Sequence, residues 1–216
     1  MKPDAQEISG LLDFPNTQSL RLLLRFGADH IDSDIDLLAI YAQEPPQRQL
    51  ALGRLDVFAC SVNQARELTT LRDPVVTEPT LQGTRIAGSK EIHAELLDLL
   101  QNPPASEAIQ YLVFRSCTSF GDAAVLLSHE LTAPQARIAL TNLSFAASYL
   151  AFAQYYGRND SQSAIKLDAL LQEVDPLLAS LIKKCRNAKA SPHNVAPNVC
   201  ADLYAEIVQY MLAARS

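Results

Sequence analysis

No CxxC pair, no apolar run long enough to span a membrane, no internal repeat, no low-complexity tract and no surplus of basic residues occur in this 216-residue sequence. Each absence excludes a class of protein. The four cysteines, Cys60, Cys117, Cys185 and Cys200, are widely scattered, and no histidine stands at zinc-ligand spacing from them. A structural zinc site is therefore not expected, and buried thiols are. A transmembrane helix needs about 18 consecutive apolar residues. The first residues, Met1-Lys2-Pro3-Asp4-Ala5-Gln6-Glu7, lack the apolar core of a secretion signal. The expectation is a cytoplasmic protein with no membrane partner. With 18 Lys and Arg against 24 Asp and Glu, the formal charge is -6. Sequence-independent binding to duplex nucleic acid needs the opposite balance, because lysines and arginines must face the phosphates.

What is present suits a folded α/β protein. The composition is 48% hydrophobic and 19% charged, and the length allows one large domain or two small ones with a substantial core. Leu20 to Phe26 is a mostly apolar run, broken by Arg21 and Arg25, that reads as a strand ending at Gly27. Ile35 to Tyr41 is a second such run, stopped by Glu44-Pro45-Pro46, and Leu55 to Cys60 is a third. Residues 5–13 read as a short helix, Val62 to Arg72 as another, and Thr84 to Gly88 as an edge strand. The proline- and glycine-punctuated stretch from Asp73 to Gly88 reads as the passage out of this unit. From Glu91 onward apolar stripes of helical period predict helices at 91–101, 105–128, 134–157, 162–173, 176–189 and 197–214. One such stripe is Ala136, Ala139, Leu143, Ala146 and Leu150. The fold class expected is α+β: a small mixed sheet with flanking helices over residues 1–90, then an all-α helical bundle over 91–216.

The chemistry concentrates in three acids. Asp34 and Asp36 open the second strand, and side chains two residues apart on a strand share a face, roughly 6.6 Å apart along the chain. Asp56 sits between Leu55 and Val57 near the start of the third strand. If these two strands lie side by side, three carboxylates meet at one rim of the sheet. Clustered carboxylates repel one another and are costly to desolvate, and a hard divalent cation relieves both penalties.

Gly27 after an apolar strand, Ser33-Asp34-Ile35-Asp36-Leu37 on the next, and Leu55-Asp56-Val57 on a later one together resemble the polymerase-β-type nucleotidyltransferase superfamily. The layout is most similar to the small bacterial enzymes of the kanamycin nucleotidyltransferase kind and to the minimal nucleotidyltransferases found with HEPN proteins, in which a helical domain follows. The resemblance covers about residues 20–60 by motif. It implies a Mg2+-dependent transfer of a nucleoside monophosphate from a nucleoside triphosphate to a hydroxyl acceptor. Asp34, Asp36 and Asp56 would be the catalytic and metal-binding residues, and Gly27, Ala28 and Ser33 would contact the triphosphate. The family's Gly-Ser pair stands here as Gly27-Ala28, and only six residues separate Gly27 from Asp34, fewer than in the family pattern. These departures support a rival reading, a catalytically degenerate binding or regulatory protein of the same fold, antitoxin-like or defence-associated.

Weaker signals lie in the helical half. Arg186, followed seven positions on by His193, resembles the R-x(4–6)-H motif of HEPN ribonucleases, a third reading ranked after the other two. Lys183, Lys184, Arg186 and Lys189 form the densest basic patch, and Tyr149, Tyr155 and Tyr156 cluster on one predicted helix. His30 stands in the loop beside the acids, while His93 and His129 read as surface or helix-end residues without partners. Long apolar helices suit a homodimer.

Overall fold

The computed structural model describes residues 20–27, 35–45, 49–52, 55–158, 163–190 and 197–213. The helix expected at 5–13 lies outside the described residues. The chain divides into two compact units, the first made of residues 1–105 with 161–166 and the second of 106–160 with 167–216.

Among its described residues the first unit is a five-stranded mixed sheet backed by three helices. Its strands are β1 (Leu20–Phe26), β2 (Ile35–Tyr41), β3 (Gln49–Leu52), β4 (Leu55–Ser61) and β5 (Thr84–Gly88), in the order β3-β4-β2-β1-β5. β2 and β4 run parallel, whereas β1 pairs antiparallel with β2 and β5, and β3 antiparallel with β4. Parallel neighbours need a crossover, and residues 42–54 supply it, with β3 inside. The expected strands at 20–26, 35–41 and 84–88 appear as such, β5 at the sheet edge. β3 was not anticipated: four residues are too few for a periodic signal.

Strand alternation sorts the side chains into two layers. Leu23, Leu37, Ala39, Tyr41, Val57 and Ala59 are fully buried on one face. Leu22, Leu24, Leu38, Ile40 and Cys60 occupy the other, against Ala65, Val76 and Leu96 from three helices, α1 (Val62–Thr70), α2 (Pro74–Gln82) and α3 (Lys90–Gln101). α1 starts where β4 stops because Ser61 closes a capping box with Gln64, its hydroxyl accepting from the Gln64 amide while the Gln64 side chain accepts from the Ser61 amide. α2 corrects the expectation of an irregular passage after Asp73. Asp73 caps it by accepting from the Val75 amide, and Pro74 takes the first helical turn, where a missing N–H costs nothing. α3 contributes Leu96 to the sheet's core, so the first unit extends one helix beyond the span 1–90.

Arg72 ties these helices together. It is fully buried, with φ +60, and its guanidinium donates to the Thr69 carbonyl of α1 (3.0 Å), to Leu99 and Leu100 at the end of α3, and to the Asn102 carbonyl. A cation at two helix C-termini satisfies carbonyls that no helical N–H can reach and sits favourably against both dipoles.

Among its described residues the second unit has helices as its regular elements: α4 (Ala108–Leu127), α5 (Ala133–Arg158), α6 (Leu167–Glu173), α7 (Pro176–Ala190) and α8 (Pro197–Ala213). Except in α6, whose start lies five residues later than expected, these match the predicted helices closely. α5 is the central element, with Ala136, Ala139, Leu140, Leu143, Phe152 and Tyr156 all fully buried. It runs antiparallel to α4, the Ser116 hydroxyl donating to the Ala146 carbonyl at 2.8 Å and Arg115 to the Tyr149 hydroxyl at 3.1 Å. α8 lies along α5, linked by Gln154 to Tyr210 and by Cys200 to the Ala136 carbonyl.

Candidate active site

The sheet's hydrogen-bonding register brings two of the three acids together. In the parallel ladder Asp36 stands opposite Asp56, and in the antiparallel ladder it stands opposite Phe26. One row across the sheet therefore reads Phe26, Asp36, Asp56, with neighbouring strands about 4.8 Å apart. Parity assigns the face. Leu38 and Ile40 on β2, and Phe58 and Cys60 on β4, pack toward the helices, so Asp36 and Asp56, two residues before Leu38 and Phe58, lie on that same side. Both carboxylates are half-buried, at the end of the strands where the apolar rows stop.

Gly27 shapes the space beside them. It adopts φ +85, a conformation open to glycine because a Cβ there meets the backbone. A second constraint is steric: an ideal Cβ on Gly27 would stand 2.6 Å from Oδ2 of Asp36. The missing side chain is what lets the Asp36 carboxylate lie against the end of β1. Asp36 is therefore held by its strand, by its partner Phe26 and by the close approach of Gly27.

Asp34, Ala28 and Ser33 lie outside the described residues, as does His30. Among the described residues no group of three or more His, Cys, Asp or Glu side chains gathers as a metal site would require. The pair that is described nevertheless has suitable chemistry: oxygen donors from adjacent strands, on one face and half-exposed, are what a hard cation such as Mg2+ takes. The missing Cβ of Gly27 lets one of those oxygens lie against the end of β1.

The secondary signals resolve into ordinary structure where they are described. Arg186 pairs with Asp168 at 2.8 Å and Lys184 with Glu206, which neutralises half of the basic patch, and His193 lies outside the described residues. Tyr149 and Tyr156 are core residues. His93, expected to be partnerless, has its Nε2 3.0 Å from the Thr80 carbonyl. Three of the four thiols are buried as expected, but Cys117 is exposed. Phe26 was not expected as a neighbour of the acids. Counting back two residues at a time from Gly27 could not show it, since only the β1–β2 register sets them side by side.

No described helix is long and apolar enough to cross a membrane. No family model and no curated protein matches the sequence. Among solved structures, the chain is similar to the crystal structure of a nucleotidyltransferase-like protein from Exiguobacterium sibiricum 255-15, with a TM-score of 0.40 and 14% sequence identity over 96% of this chain and 72% of that one.

Proposed function

We propose that this chain is a magnesium-dependent nucleotidyltransferase that moves a nucleoside monophosphate from a nucleoside triphosphate to a hydroxyl acceptor. The observation that carries the proposal is the in-register pair Asp36 and Asp56, on one face of parallel neighbouring strands, with Gly27 clearing the space beside Asp36. This is the arrangement that the Ser33-Asp34-Ile35-Asp36-Leu37 and Leu55-Asp56-Val57 segments call for.

In the proposed reaction the acceptor oxygen attacks the α-phosphorus, a new P–O bond forms, and the bond to the β-phosphate oxygen breaks, releasing pyrophosphate. Asp34, Asp36 and Asp56 would hold Mg2+, which would neutralise triphosphate charge and lower the pKa of the attacking hydroxyl. Asp56 accepts the hydroxyl proton. Gly27, Ala28 and Ser33 would contact the triphosphate, through backbone N–H groups in place of the family's missing hydroxyl. Most of the rate enhancement comes from holding the reactants in line and from fixed charge.

Calorimetric titration with ATP, GTP, CTP and UTP, each with and without Mg2+, tests the proposal. At least one nucleotide binds in a magnesium-dependent way, and Asp56→Ala removes that binding without changing the circular dichroism spectrum. If none of the four binds, the proposal fails. The non-catalytic reading, which Ala28 and the short Gly27–Asp34 connection favour, then takes its place.

A further inference from the structure

One face of the sheet in the first unit is buried without help from α1, α2 or α3. Leu23, Leu37, Ala39, Tyr41, Val57 and Ala59 are fully buried there, and the partly buried side chains packed against them, Leu20 and Ile35 included, are strand residues as well. The three helices send Ala65, Val76 and Leu96 to the opposite face. A sheet that is apolar on both faces is stable only with both faces covered. Among the described residues no helix or loop side chain joins this second cluster, so its cover comes from chain outside them.

We propose that residues 5–13 close this face as an amphipathic helix laid across β1, β2 and β4. The pattern of the segment supports it: on a helix Ala5, Ile8, Leu11 and Leu12 fall on one side, while Gln6, Ser9 and Asp13 fall on the other. Size agrees. The buried cluster spans about 10 Å between the outer two of these strands and about 13 Å from Leu37 to Tyr41, and residues 5–13 as a helix are about 14 Å long and about 10 Å wide. Connectivity agrees as well. Leu20, where β1 begins, packs on this face, and residues 14–19 reach at most about 20 Å, enough to join helix to strand on that side. The rest of the first unit offers no rival. Its other stretches outside the described residues are 28–34, 46–48, 53–54 and 161–162. All are short, and the longest sets Asp29, Asp32 and Asp34 against one large apolar side chain, Ile31. Leu37 and Val57, on the covered face, directly follow Asp36 and Asp56 in their strands, so the segment braces from behind the strand ends that carry the candidate site.

Thiol labelling of the full chain tests the proposal. Cys117→Ser removes the exposed thiol and leaves Cys60, Cys185 and Cys200, all buried. Ala59→Cys then sets a thiol on the covered face, next in sequence to native Cys60 on the helix side, and Ala39→Cys serves the same purpose if that variant does not fold. Leu12→Ala and Ile8→Ala should each speed labelling of the introduced thiol about tenfold or more while Cys60 changes by less than about twofold, because opening one face is a local event whereas global unfolding exposes both thiols. Gln6→Ala, on the polar side of the segment, should change neither. An introduced thiol as protected in both variants as in the parent, or an equal rise at both thiols, overturns the proposal: another part of the chain or a second copy would then close the face. None of these rates depends on nucleotide or Mg2+.

Discussion

Replacing Gly27 with alanine probes the one contact that gives the candidate site its form. Two costs are expected, and they can be separated. At φ +85 a Cβ collides with its own backbone, a penalty of about 1–2 kcal/mol. The Cβ would also stand 2.6 Å from Oδ2 of Asp36, so the carboxylate or the strand end must shift, adding about 1–3 kcal/mol by analogy with overpacked sites. Gly27→Ala should therefore lose about 2–5 kcal/mol in urea denaturation. In an Asp36→Ala background the second cost vanishes because its partner atom is gone, and only the backbone penalty remains. The double-mutant coupling is then about 1–3 kcal/mol, in the direction that makes the two changes together cheaper than their sum. Under the proposed function, the same substitution should weaken magnesium-dependent nucleotide binding at least tenfold, since it displaces an oxygen that would hold the cation. Equal destabilisation in both backgrounds would refute the close approach of Gly27 and Asp36. Unchanged nucleotide affinity in a folded Gly27→Ala protein would refute the site's dependence on it.

Two further outcomes follow from the structure. Arg72→Met should destabilise the first unit by about 3–5 kcal/mol, since the carbonyls of Thr69, Leu99, Leu100 and Asn102 lose a buried donor at about 1–3 kcal/mol each with partial relaxation. Arg72→Lys should recover little of it, because an ammonium lacks the planar fork that reaches two helix ends; a loss below about 1 kcal/mol in urea would contradict this role. Burial pushes the Cys185 thiol up from its ordinary value near 9 to about 12. The unfolded chain then releases this proton from about pH 9 upward while the folded chain keeps it, so stability falls as pH rises through that window. Cys185→Ala should make the decline shallower between pH 9 and 12, and an unchanged slope would count against the burial of this thiol.

Residues differ in how far their surroundings can be inferred from neighbours in the chain. β1, β2 and β4 announce themselves as apolar runs ended by glycine, by proline or by a cap, because a strand buried on both faces needs nearly every residue apolar. An acid inside such a run, Asp36 or Asp56, stands out for the same reason. α2 was hidden by the residues that start it: Asp73 and Pro74 are turn formers in isolation and a cap with a first helical residue in context. Arg72 looked like an ordinary helix-end arginine. Only the Thr69 carbonyl among its partners is close in sequence; those of Leu99, Leu100 and Asn102, which draw it into the interior, come almost thirty residues later.

Sequence alone was thus enough to determine the two-part α+β then all-α organisation and the helices of the second unit, and to single out Asp34, Asp36 and Asp56 as candidates for chemistry. These follow from local periodicity and from the cost of burying charge, which short stretches of chain carry within themselves. Tertiary structure decided that Asp36 and Asp56 stand in one row, that Phe26 adjoins them, and that Phe120 stacks on Tyr204 to join two helices. Strand register and helix adjacency couple residues far apart in the chain through backbone hydrogen bonds and packing, and no periodicity within either segment specifies that coupling.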